Sequence, residues 1–198
     1  MELYNILGTV GFLLSTIVLI MLSLFFVQFS MSLEISPAFI LIVPLFVSSI
    51  MLRGVAWMEF GKAAMKRLYF ITGGLVIILG VLMVYAFSGL LQYAVNLPSL
   101  SDLVRIINVI AILALWVSYS IMEFLSLKGL FREGALRLST FNLLGAVLVV
   151  ISLLYLDTYT VYILSAAFAV CAMGTFFAAI GFLNLETKKR GSVLKTLT

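Results

Sequence analysis

Two residues of this sequence stand where charge is expensive. Arg53 lies within LFVSSIMLRGVAW and Glu123 within LWVSYSIMEFLSL, each inside a long apolar stretch. A charge at mid-membrane costs roughly 2.5 to 3.5 kcal/mol on insertion scales, and less near an interface, so each of the two calls for a partner. The expectation is an Arg53–Glu123 ion pair across a helix interface. In the competing reading both side chains snorkel independently, Glu123 toward the level of Lys128. A third use, an ion or proton site built on Glu123, has the same residue at its centre.

Other chemistry is thinly supplied. The chain has no histidine, which removes most intramembrane metal sites, the usual haem ligation and His-dependent acid–base or triad catalysis together. Asp102 and Asp157 fall at the outer ends of apolar stretches, so they do not form a carboxylate dyad at one depth. Ser101 and Asp102 follow Pro98 as a helix cap, with Arg105 three residues beyond Asp102. No catalytic pair and no cofactor motif emerge, and the expectation is a protein that is not an enzyme and carries no cofactor or metal. A single cysteine, Cys171, rules out an intrachain disulfide.

A second pattern concerns packing. Ala167, Cys171, Thr175 and Ala179 recur every fourth residue, with Gly174, Ala178 and Gly181 beside them. Small residues along one stripe let another helix backbone approach closely, which is how helices associate in lipid. The stripe serves either the chain's own bundle or another subunit. Asn108 and Asn142 read as interhelical hydrogen-bonding groups, and Pro44 as a possible kink.

The elements that must carry these residues are apolar helices. With 64% hydrophobic and 10% charged residues and a mean hydropathy of +1.27, the chain is far from a soluble domain, where roughly 25% of residues are charged. Crossing a hydrocarbon core of roughly 30 Å takes about 20 apolar residues. Six such spans are expected, over Asn5–Gln28, Ala38–Trp57, Leu68–Tyr93, Leu103–Leu127, Leu138–Leu156 and Thr160–Leu183. The start, MELYNILG, lacks the basic region of a signal peptide, so the first helix is expected to remain. Trp57, Tyr69, Tyr93 and Tyr159 near span ends fit interfacial belts, while Trp116 lies deeper.

The charges orient the spans. Lys62, Lys66 and Arg67 fall in one loop, Lys128, Arg132 and Arg137 in another, and Lys188, Lys189, Arg190 and Lys195 in the tail, with Arg53 near the same side. Of the twelve Lys and Arg only Arg105 sits opposite, beside Glu34, Asp102 and Asp157. The positive-inside rule then places both termini in the cytoplasm of a multi-pass cell-membrane protein. The basic turns mark topology, or they dock anionic lipid or an acidic partner. They do not form a soluble basic face, so no nucleic-acid partner is expected.

The chain also resembles itself. A shift of 70 lays Val47, Ser48, Lys62, Arg67 and Leu68 over Val117, Ser118, Arg132, Arg137 and Leu138, and places Arg53 opposite Glu123. A shift of 65 lays Leu3, Tyr4, Ile6 and Gly8 over Leu68, Tyr69, Ile71 and Gly73, and FLSLKGLFRE echoes FLNLETKKRG. The reading is an all-α integral membrane protein, a single domain over residues 1–198. Its six transmembrane helices form three tandem two-helix hairpins at about 1–60, 61–130 and 131–185, followed by a short basic tail at 186–198.

From Lys128 onward, KGLFREGALRLSTFNLLGAVLVVISLL and TYTVYILSAAFAVCAMGTFFAAIGFLNL resemble the C-terminal part of an archaeal family of small polytopic membrane proteins, domain of unknown function 996. The similarity lies in the step Leu143, Leu144, Gly145, Ala146 after a cytoplasmic turn, and in the small and aromatic last helix with its exit at Phe182 to Leu185. It implies an archaeal source and six helices, and brings no catalytic residues. On function, the expectation is an accessory or scaffold subunit of a larger membrane complex, with the lipid bilayer, other membrane subunits or further copies of the chain as partners. A small transporter or channel built from helical-hairpin repeats is the alternative.

Overall fold

The computed structural model describes residues 2–32, 41–96, 102–128, 130, 138–154 and 159–185. Glu34, Pro98, Ser101, Asp157, Arg132, Arg137 and the basic tail lie outside these residues, as do the side chains of Tyr93, Asp102, Arg105 and Asn108. These residues are all-helical apart from turns, with six helices among them: α1 (Leu3–Ser32), α2 (Ile42–Ala63), α3 (Arg67–Asn96), α4 (Asp102–Lys128), α5 (Thr140–Leu154) and α6 (Thr160–Leu183). Three are long and apolar enough to cross a membrane, over Leu3–Gln28, Ile42–Ala63 and Thr160–Leu183.

The second helix departs from its expected bounds. It runs from Ile42, with Ala38 outside the described residues, so Pro44 falls in the first turn, where a missing N–H removes no intrahelical bond. Proline therefore opens α2 and does not kink its interior. At the other end α2 runs past Trp57 to Ala63, carrying Lys62 in its last turn instead of a loop. It stops in a Schellman motif: the Lys66 N–H donates to the Gly61 carbonyl at 3.0 Å and the Met65 N–H to that of Lys62 at 3.2 Å. Met65, at φ 53°, fills the left-handed position that glycine usually takes.

The helices form a closed ring, each touching the next in sequence and α6 returning to α1. Contacts along the pairs show the antiparallel sense directly. Tyr4 meets Phe60 while Gly11 faces Arg53, further into both helices. Thr9 donates to the Ala179 carbonyl, the hydroxyls of Thr16 and Thr175 share a bond of 2.9 Å, and those of Ser23 and Ser165 another of 2.9 Å. The Asn5 amide donates to the carbonyls of Phe182 at 2.9 Å and Leu185 at 2.7 Å, satisfying acceptors that the end of α6 leaves open. Backbones come close between α2 and α3, where a Cβ on Gly54 would strike the Gly73 carbonyl, and one on Gly73 would strike that of Gly54.

Side chains are sorted with apolar groups outward. On α1 the exposed large apolar residues are Leu3, Ile6, Val10, Leu13, Ile17, Ile20 and Leu24, a single stripe at steps of three and four. Leu68, Ile71, Ile78, Val81 and Leu82 on α3, Ile110, Ile121 and Leu125 on α4, and Leu144, Val147 and Ile151 on α5 are exposed likewise. Buried inside are Asn5, Ser15, Thr16, Ser49, Arg53, Thr72, Ser120, Glu123, Ser126, Asn142, Ser165 and Thr175.

Candidate functional site

The interior polar groups converge on Glu123. Its helix, α4, is separated from α2 along the ring by α3, yet the Arg53 guanidinium crosses to it and pairs with the carboxylate. Arg53 Nε donates to Glu123 Oε1 at 3.1 Å, and its Nη2 faces Oε2, the two-pronged geometry that suits a guanidinium to a carboxylate. Arg53 Nη1 donates to Ser15 Oγ on α1 at 2.7 Å, and the Trp57 indole N–H donates to Glu123 Oε1 at 3.2 Å. Three helices are thus tied at one point.

The walls of the site are aromatic. The guanidinium carbon lies 4.4 Å from the centroid of the Phe12 ring and 4.8 Å from that of Tyr119, so the cation meets π faces where it lacks hydrogen-bond acceptors. Gly11 admits this arrangement, because a Cβ there would come within 2.8 Å of Arg53 Cγ and 2.9 Å of its backbone nitrogen. Trp57 stacks on Tyr69 at 5.7 Å and meets Phe182 edge-on at 4.9 Å, and Phe182 in turn packs on Phe12 at 5.2 Å. Arg53 is 2% exposed, and Glu123 and Trp57 are 0% exposed.

This burial corrects the belt assignment of two aromatic residues. Trp57 does not hold its polar tip in water, because the indole N–H is spent on a buried carboxylate, and Tyr69 is buried as a residue against it. Tyr159, by contrast, is exposed. Trp116 packs inward against Phe168 with centroids 5.2 Å apart.

The small-residue stripe is also turned inward and is divided between two neighbours. Gly174 abuts the Asn142 backbone of α5, and Cys171 and the Ala167 carbonyl crowd Gly145. Thr175 and Ala179 face α1 through Thr16 and Thr9, and Ala178 joins the aromatic core around Trp57. The Cys171 thiol donates to the Asn142 carbonyl at 3.5 Å. Within this arrangement α1 and α5 already cover the face that a second subunit would have used.

Ser15, Phe12, Trp57 and Tyr119 complete the site and were not singled out for it by sequence. A signal existed for Ser15, four residues after Gly11 on one helix face: a small residue and a hydroxyl together mark a face turned to protein in an apolar helix. Two hydroxyls next to the pair, Tyr119 Oη and Ser120 Oγ, are buried without a hydrogen-bond partner. No three His, Cys, Asp or Glu side chains converge among the described residues. With the carboxylate engaged at both oxygens, the arrangement suits holding helices together better than transferring a group.

Comparison of the chain with protein-family models, with curated proteins and with solved structures finds no match.

Proposed function

We propose that all six helices cross a bilayer as three tandem hairpins with both termini cytoplasmic, and that the protein is a non-enzymatic accessory or scaffold subunit of a larger membrane complex. The observation that carries the spanning of every helix is the sorting of side chains. Large apolar residues face outward on each of the helices in turn while hydroxyls, amides and the ion pair face inward. Apolar surface on that scale is not left facing water by a soluble monomer. The scaffold role is supported by the closure of the interior, where aromatic rings and a satisfied ion pair occupy the centre of the ring.

The experiment is to extract the protein from its native membrane in a mild detergent or nanodisc and determine the mass and composition of the particle. Co-migration with other membrane polypeptides is the expected result. A solitary particle would overturn the subunit reading.

One observation favours the alternative, a small transporter or channel. The unpartnered hydroxyls of Tyr119 and Ser120 beside Glu123 are where an internal water or a passing solute would bind. Solute flux through liposomes containing the purified protein, abolished by Glu123→Gln, would establish that reading in place of the first.

A further inference from the structure

The end of the ring where α2 stops and α3 begins carries cations that have no carboxylate partner among the described residues. Lys62 is engaged by Glu59 at 2.6 Å. Lys66, Arg67 and Lys128 are exposed, and no carboxylate among the described residues reaches any of them. Lys128 ends α4 and Arg67 opens α3. The Thr72–Ser126 hydroxyl contact, 2.7 Å, joins those same ends of the two helices. Thr72 lies five residues after Arg67 and Ser126 two before Lys128, so the three cations share one end of the α3–α4 pair.

Their backbone is held as well. The Schellman bonds and left-handed Met65 fix the turn that presents Lys66 and Arg67, and Lys66 Nζ lies 5.9 Å from the centroid of the Tyr69 ring. A cation in the first turn of a helix opposes the helix macrodipole, and α3 has no acidic residue in its first turn to offset it. A bound anion would relieve both.

We propose that Lys66, Arg67 and Lys128 form a docking surface for the phosphate headgroups of anionic phospholipid in the adjoining leaflet. The inference rests on the reading that the bundle spans a bilayer. Exposed Leu68 and Leu125, one turn or less from the cations along α3 and α4, provide apolar surface for the acyl chains of the same lipid. Headgroup and chain therefore meet complementary chemistry at one place.

The test compares purified wild type with the triple variant Lys66→Gln, Arg67→Gln, Lys128→Gln. Each is exchanged into vesicles of phosphatidylcholine with or without phosphatidylglycerol, and retained lipid is counted by native mass spectrometry. With each cation near an anionic surface contributing about fivefold, the variant should lose at least about tenfold of the preference for phosphatidylglycerol. The wild-type preference should also fall as salt rises. Lys62→Gln, which removes a paired charge, should change the preference little.

Equal retention of both lipids by the wild type, or an unchanged preference in the triple variant, would overturn the proposal. So would competition by soluble glycerol phosphate as effective as by intact lipid. If the triple variant does not fold, the single variants Arg67→Gln and Lys128→Gln carry the same test. Failure of membrane insertion itself is separable, since protein that does not incorporate into vesicles retains neither lipid.

Discussion

The ring is closed by different physics around Glu123 and around Gly174. At Glu123 a guanidinium, an indole and two aromatic walls fill the space between α4 and the α1–α2 pair, which Gly11 lets close on the Arg53 backbone. At Gly174 there is no such space, because α6 lies directly on the Asn142 backbone of α5. One region adds charge to close contact, and the other relies on the absence of side chains. In a bilayer this difference would be informative: burial from water does not drive helix association there, so helices must find close backbone contact or polar pairing, and the Glu123 region combines the two while the Gly174 region rests on close contact.

The comparison can be broken most severely at the charged region. Glu123→Leu strands a buried guanidinium and is expected to cost about 3–5 kcal/mol, read as a lowered Tm of the purified protein in detergent. Trp57→Phe keeps the aromatic core but withdraws one donor from the carboxylate, with an expected loss of about 1.5–3 kcal/mol in the same assay.

The close-packed region responds to volume instead. Gly174→Leu forces α6 off α5, for about 1–3 kcal/mol of destabilisation. Gly74→Leu on α3, where an added Cβ meets nothing within 4 Å, should leave Tm unchanged or raised. Equal losses at Gly174 and Gly74 would show that close backbone contact is not what the α5–α6 region depends on. A small gain is expected elsewhere: Met65→Gly relieves a left-handed residue at the end of α2 and should stabilise the fold by up to about 1 kcal/mol.

What was legible in the sequence follows the same division. Charge is scarce in this chain, so Arg53 and Glu123 stood out, and the 70-residue shift placed them at equivalent depth. The stripe through Cys171 and Thr175 was visible because small residues at helical spacing are conspicuous among Leu and Phe. The closing contact of α1 on α6 was not legible. Both faces of an apolar helix read alike in hydropathy, and a few small and polar residues, Asn5, Gly8, Thr9, Thr16 and Ser23, mark the side that meets α6. Trp57 was misplaced for a related reason: an aromatic residue near the end of an apolar run looks the same whether its N–H reaches water or a carboxylate. Its partner lies 66 residues away, and local pattern carries no information about that distance.

The measurement that tests the account most directly is a double-mutant cycle on thermal stability, with Arg53→Leu, Glu123→Leu and the two combined. If the pair is the brace between α2 and α4, each single variant is strongly destabilised and the double variant recovers much of the loss, giving a coupling toward the upper end of about 0.5–3 kcal/mol. Simple additivity of the two single losses would show that the residues act independently, and would contradict the brace.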